Sequence, residues 1–321
     1  MRRGRVTRDT YPSKVTAPNS RSWVPAYVAT GIVWGCSFLF IKYSLGFLTP
    51  FGVAFMRCAL GAVTLLLVAA VKRVALPREF VVWCHLWVVA MCLNIVPGIL
   101  FALAETRTTS IVAGIVNAMT PLTTLFFMLF VFRGEPIQRF QIVGLGVGLV
   151  GVLTVLGVWQ GFGSNPWWAV VALLGAVTLY GISFPYTRRY LIPRGLAPVS
   201  MASAQLLLAA LTLLPTFLLD GANGHGVSAH AVIGVLALGI FGSGFAFMWN
   251  YRVIAAAGSS IASTVTYLTP VVAVVVGVIF LSEPLTWFEP VGGAIVLFGV
   301  AIGQGRVHLD VTKLVRRHCE V

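Results

Sequence analysis

Three ionisable side chains lie inside or at the edge of long apolar runs, where an isolated charge is costly. Arg57 follows Pro50 by seven residues, roughly 10 Å along a helix rising 1.5 Å per residue. Lys42 lies late in the first apolar run, and Glu105 just past the end of the third. A buried cation of this kind draws an anionic group such as a carboxylate. The structural alternatives are that Arg57 pairs with Glu105 or with helix-end carbonyls, and that Lys42 snorkels to the nearer interface. Pro121 and Pro270 offer a second chemistry. Each lies near the centre of an apolar run, lacks a backbone donor and frees the carbonyl four residues back. Those carbonyls belong to Asn117 and Thr266. Two free carbonyls at mid-membrane suit an ammonium or a hydroxyl; the plainer alternative is a kink healed by neighbours. Pro97, followed by Gly98, is a further candidate hinge.

Trp34, Tyr180 and Tyr267 supply aromatic walls with a polar edge, or else ordinary helix contacts. Asn94, Asn117, Gln205 and Asn250 supply neutral polar groups, which serve equally as interhelical hydrogen bonds worth roughly 1 kcal/mol. All of this is binding chemistry, and a catalytic residue set is not expected. His85, His225, His230, His308 and His318 fall at run ends, in loops or in the tail. There is no H-E-x-x-H, no G-x-S-x-G and no P-loop, so neither metal, nor cofactor, nor direct use of ATP is expected. Five cysteines without metal spacing behave as small apolar residues.

These residues need long apolar elements to hold them. The chain is 58% hydrophobic and 10% charged over 321 residues, which excludes an ordinary soluble domain. Ten apolar runs recur, approximately 24–46, 50–72, 79–103, 108–132, 138–158, 166–189, 198–219, 231–255, 258–281 and 285–304. Each is long enough to cross a bilayer. The first is too long for a cleavable signal peptide and reads as an uncleaved anchor.

The net charge of +13 does not point to nucleic acid. With ten crossings and the N-terminus inside, all of the 22 Lys and Arg except Lys42, Arg57 and Arg107 fall on the cytoplasmic side. That positive-inside bias places both termini in the cytoplasm, and the basic excess also suits anionic lipid of the bilayer. Trp23, Trp83, Trp87, Trp159, Trp167, Trp168 and Trp287 fall at run ends, as interfacial anchors do.

The chain also repeats itself. AGIVNAMTPLTTLFFMLFVFRGEP over 113–136 matches ASTVTYLTPVVAVVVGVIFLSEP over 262–284. Trp34-Gly35-Cys36-Ser37-Phe38 matches Tyr180-Gly181-Ile182-Ser183-Phe184, and Thr49-Pro50 matches Ala197-Pro198. In that register Lys42 stands opposite Arg188, and Arg57 opposite Gln205. Each unit has five runs. Five is odd, so the second unit runs opposite to the first, as an inverted repeat. The expected fold is therefore an all-α integral membrane protein of ten transmembrane helices, arranged 5+5. A basic tail (1–22) precedes a first repeat (23–160) and a second (166–304), and a tail (305–321) follows. Gly144-xxx-Gly148 and Gly299-xxx-Gly303 permit close helix contact, which serves either packing inside the bundle or a homodimer seam.

With these residues assembled, the chain resembles the drug/metabolite transporter superfamily, and within it the EamA-type members. The features that carry the likeness are Trp34-Gly-x-Ser-Phe38, the Leu60-to-Leu67 region after Arg57, Asn117-Ala-Met-Thr-Pro121 with Arg-Gly-Glu-Pro136, and Tyr267-Leu-Thr-Pro270 with Ser-Glu-Pro284. The resemblance spans about 24–304. It implies a central cavity between the halves and transport of small organic solutes, often amino acids or related metabolites, commonly exported across a plasma or bacterial inner membrane. Two readings from other classes stand beside it. A membrane-embedded enzyme on lipid-like substrates would need convergent acids, His or metal ligands. A non-transporting scaffold or sensor would not need the paired helix breaks.

Overall fold

A computed structural model describes residues 22–132, 139–155, 159 and 166–303. The tails expected over 1–22 and 305–321 lie outside the described residues apart from Ser22, as does the Arg133-Gly-Glu-Pro136 segment. Among the described residues all regular secondary structure is helical, save one isolated antiparallel bridge between Leu48 and Ala222. The helices are α1 (Val24–Ser44), α2 (Pro50–Val71), α3 (Phe80–Ala90), α4 (Val96–Glu105), α5 (Ser110–Asn117), α6 (Thr120–Phe130) and α7 (Arg139–Val155). The second half holds α8 (Trp167–Tyr190), α9 (Pro198–Asp220), α10 (Ala229–Ala237), α11 (Ala246–Ser263), α12 (Leu268–Leu281) and α13 (Phe288–Gly303).

Seven continuous runs are long and apolar enough to cross a membrane: 24–44, 50–71, 80–105, 110–130, 167–194, 198–220 and 229–281. The last, of 53 residues, would as one helix extend about 80 Å at 1.5 Å per residue. It leaves the helical conformation at Gly258, where φ is 87° and ψ is 171°. Two further apolar helical stretches, Ile142–Gly151 and Phe288–Gly299, are shorter. Large apolar side chains face outward all along these runs: Leu67, Phe80, Leu218, Val275 and Ile279 are all exposed. Such faces suit lipid and do not suit water.

Helix starts follow from local chemistry. Thr49 caps α2 by accepting the amide of Gly52 at 3.1 Å, and Pro50 occupies the first turn, where a missing donor is harmless. Thr109 caps α5 through Val112 at 3.2 Å, and Ser228 caps α10 through Ala231 at 3.2 Å. The one departure the apolar pattern does not announce is a pair of π turns. Met91–Ile95 joins α3 to α4, and Leu238–Phe245 joins α10 to α11. The register that sets Ala113 opposite Ala262 also sets Met91–Ile95 opposite 240–244. The widened turns are thus repeat mates, and widened turns gather at functional places in helices.

The glycine stretches of α7 and α13 pack on each other within one chain. A Cβ on Gly151 would meet the Val296 amide at 2.6 Å, and one on Gly299 would meet the Gly148 amide at 2.5 Å. Packing inside the bundle, one of the two uses the spacing allows, is what these glycines serve here.

Candidate functional site

The site is built around two broken helices. The breaks separate α5 from α6 at Ala118–Met119, and replace α-helix by a 3₁₀ turn, Thr264–Tyr267, ahead of α12. Pro121 and Pro270 follow these breaks. In each copy the threonine of the Thr-Pro pair heals the damage. Thr120 Oγ1 donates to the Asn117 carbonyl at 2.8 Å, and Thr269 Oγ1 donates to the Thr266 carbonyl at 2.6 Å. Each carbonyl freed by proline therefore already has one donor, and one of its two lone pairs is left for another. The same bond explains the dipeptide: the hydroxyl one residue before proline reaches the acceptor that proline leaves without its donor.

The two broken helices are joined where they cross. Asn117 Nδ2 donates to Thr269 Oγ1 at 3.3 Å. Gly114 lets α12 approach, since a Cβ there would lie 2.5 Å from the Ala273 Cβ. Glu283, from the second Glu-Pro, caps the opposite unit. Its carboxylate accepts from the Ser110 amide at 2.8 Å, the Ser110 hydroxyl at 2.7 Å and the Ile111 amide at 3.2 Å. A carboxylate on the first amides of α5 is favoured by the helix dipole as well as by the hydrogen bonds.

The lysine and arginine at matching positions make matching contacts. Lys42 Nζ donates to the carbonyls of Glu105 and Thr108, both at 2.6 Å. Arg188 donates to the carbonyls of Ile254 and Ala255, both at 3.1 Å. Glu105 and Ile254 are themselves repeat mates. Each cation thus satisfies orphan carbonyls at a helix C-terminal end, one at the end of the molecule where α1 finishes and one at the end where α8 finishes. The Lys42 ammonium holds backbone and makes no ion pair with the Glu105 carboxyl. Glu105 is 1% exposed, and neither of its carboxyl oxygens has a hydrogen-bond partner.

A second pair of matched contacts surrounds Arg57. Its Nε donates to Ser243 Oγ at 3.0 Å. Its mate Gln205 donates through Nε2 to Asn94 Oδ1, and Asn94 is the mate of Ser243. The two units therefore place the same contact, from the second helix to the π turn, in different chemistry. On the Gln205 side the contact is sealed, because the Tyr251 hydroxyl donates to Gln205 Oε1. On the Arg57 side the Nη groups make no hydrogen bond to any described residue. Beside Arg57 lies a small cavity of about 30 Å³, room for a water or two as it stands. Trp34 and Tyr180, repeat mates, face it, as do Phe38 and Phe184, also mates. Phe101 stacks on Tyr180 at 5.7 Å and edges Phe38 at 5.7 Å, while Phe247 edges Trp34 at 5.7 Å. Arg57, Ser37, Asn117 and Thr266 give the wall its polar part.

The sequence profile of the EamA-like transporter family matches this chain twice, over residues 21–157 and 167–302. The chain belongs to the EamA-like transporter family. The two matched segments fall one on each side of the cavity, so each half of this EamA-like protein is one family unit. It is a multi-pass membrane transporter of the drug/metabolite transporter superfamily. An "Uncharacterized transporter" of Archaeoglobus fulgidus is 28% identical over 290 residues, covering 88% of this chain and 98% of that protein. The "Uncharacterized inner membrane transporter YedA" of Escherichia coli K12 is 26% identical over 282 residues, covering 86% and 89%. A "Probable terminal-alkyne amino-acid exporter" of Streptantibioticus cattleyicolor is 26% identical over 287 residues, covering 86% and 91%. A crystal structure of a protein aligns with a TM-score of 0.71 at 19% identity, over 89% of this chain and 99% of that one; it carries the fold alone.

In this EamA-like chain the residues singled out by sequence divide into two groups. Trp34, Arg57, Asn117, Tyr180 and Thr266 share one cavity. Asn94 and Gln205 meet each other behind its wall and are almost wholly buried. Tyr267 packs into the core with Val116 and Ala273. Pro97 sits in the first turn of α4, directly after the π turn. Ser37, Phe38, Phe101, Phe184 and Phe247 join the wall without having been singled out. Ser37, Phe38 and Phe184 lie inside the matched Trp-Gly and Tyr-Gly motifs, so the duplication itself carried that signal. Phe101 and Phe247 have no such mark.

Proposed function

We propose that this protein is a secondary transporter that exports small organic metabolites, amino acids or related compounds, by alternating access through the cavity. The observation that carries the reading is the pairing of repeat-mated residues, Trp34 with Tyr180 and Phe38 with Phe184, around one cavity. Two like units that face each other can exchange conformations, closing one end while opening the other. Ten crossings are supported by the six runs other than 229–281, its two legs on either side of Gly258, and the two shorter helices α7 and α13. An even count and the positive-inside bias support both termini in the cytoplasm and the Lys42 end outside. Export of an amino-acid-like solute is supported by the Streptantibioticus relative's name, and an inner-membrane location by that of YedA.

The test is efflux from proteoliposomes loaded with a pool of labelled amino acids and related metabolites. We expect saturable release of particular members, above that of protein-free vesicles. No release of any pooled solute from folded, inserted protein would count against the reading.

A further inference from the structure

We infer that the cavity takes solutes by a carboxylate docked on Arg57, with an apolar or aromatic body against the surrounding rings, and that an ammonium on the same solute adds nothing to recognition. The inference rests on the transport reading and narrows its substrate class to apolar carboxylic acids.

Arg57 is 6% exposed and lines the cavity, yet only its Nε is hydrogen-bonded to a described residue. A guanidinium presents a planar fork that receives a carboxylate through two parallel bonds. Among the described residues one ion pair occurs, Arg194 with Glu79, both well exposed. Glu105 lies within electrostatic reach of Arg57, Lys42 and Glu283, but it forms no ion pair with Arg57 and does not line the cavity. A largely buried guanidinium whose Nη groups face the cavity without a protein partner is costly to hold, and an arriving acid group relieves that cost.

The repeat shows why this place is open. At the mated contact, Tyr251 supplies a hydroxyl to Gln205, which in turn donates to Asn94. The mate of Tyr251 is Ala102, which is fully buried and has no polar atom to offer. One turn earlier on the same helix, Gly98 approaches the Arg57 Cδ, since a Cβ there would lie 4.0 Å from it. What a tyrosine fills in one half is left for a ligand in the other. The ammonium side of the argument comes from the Thr-Pro pairs. The carbonyls of Asn117 and Thr266 already accept from threonine hydroxyls, and no carboxylate lines the wall. An ammonium would meet neutral oxygens in place of the solvation it left.

Equilibrium binding of labelled 3-phenylpropanoate, 3-phenylpropanamide and phenylalanine to the purified full chain tests this. The acid is expected to bind at least tenfold more tightly than the amide, and phenylalanine no more tightly than the acid. Arg57→Gln should erase the preference for acid over amide while amide binding stays, and Arg57→Lys should retain part of it. If Arg57→Gln does not fold, the three ligands on the unaltered protein decide alone. Equal affinity for acid and amide would overturn the inference, as would phenylalanine binding tenfold more tightly than the acid, or no binding of any of the three. Carrier-mediated flux of other solutes without acid binding would overturn it and leave the transport reading standing. Acid binding with no carrier-mediated flux of any solute would leave it standing and overturn the transport reading.

Discussion

Gly35→Val and Gly181→Val are each expected to lose most folded protein, and any that survives should unfold at a markedly lower temperature. These two glycines are repeat mates, and each lets its helix lie against the broken helix of the other unit. A Cβ on Gly35 would fall 2.4 Å from the Val272 Cβ, and one on Gly181 would fall 2.4 Å from Thr123 Oγ1 and 2.7 Å from the Thr123 carbonyl carbon. Both separations are far inside van der Waals contact. Overpacking of this kind costs about 1–3 kcal/mol for added methylenes in a tight core, and valine adds two further methyls. Gly146, with nothing within 4 Å of an added Cβ, provides the control. Gly146→Ala should be neutral or stabilising, since alanine is the better helix former by about 1 kcal/mol. Thermal unfolding in detergent checks all three. Unchanged unfolding temperatures for the Gly35 and Gly181 variants would mean that the units do not interlock as described. Partial rescue of Gly35→Ala by Val272→Gly, which removes the clashing Cβ, would show that the contact itself is responsible.

The second large effect concerns function. Trp34→Ala is expected to lower the transport rate at least tenfold while leaving folded, membrane-inserted protein. The indole forms one wall of the cavity, edges Phe247 at 5.7 Å and donates from Nε1 to the Gly242 carbonyl at 3.1 Å, inside the second π turn. Alanine removes both the apolar wall and the tie to that turn. Trp34→Phe keeps an aromatic face without the donor and should fall between the two. Asn117→Ala, which cuts the hydrogen bond between the two broken helices, should lower the rate by a smaller factor. Proteoliposome flux, normalised to folded protein, measures all of these. Normal rates in both alanine variants would remove Trp34 and Asn117 from the path.

Much of this architecture was legible because it is written twice. The Thr-Pro pairs marked the helix breaks, the Trp-Gly and Tyr-Gly motifs marked the facing walls, and the Arg57–Gln205 register marked a matched pair of polar contacts. Side-chain direction was harder to read. A helix that is apolar all round gives no stripe to say which face points inward, so Asn94, Gln205 and Tyr267 could not be told from wall residues. Their neighbours decided it: Tyr251 donates to Gln205, which in turn donates to Asn94, and the core covers Tyr267. The threonine donors to the carbonyls of Asn117 and Thr266 were hidden for a related reason. Proline predicts a lost donor, but the replacement donor comes from the threonine beside it, whose hydroxyl rotamer the sequence does not state. The π turns left no pattern in composition, and became recognisable only as mates once the register was extended backward from Ala113 and Ala262.

Alternating exposure of the cavity is the central claim, and one measurement addresses it most directly. Ser37 lies in the cavity wall and is 5% exposed. A Ser37→Cys variant, in a chain whose native cysteines are replaced, would be treated with a membrane-impermeant thiol reagent from each side of the membrane in turn. Labelling from both sides, slowed by a transported solute, is the predicted result. Labelling from one side only, whatever the conditions, would contradict the account.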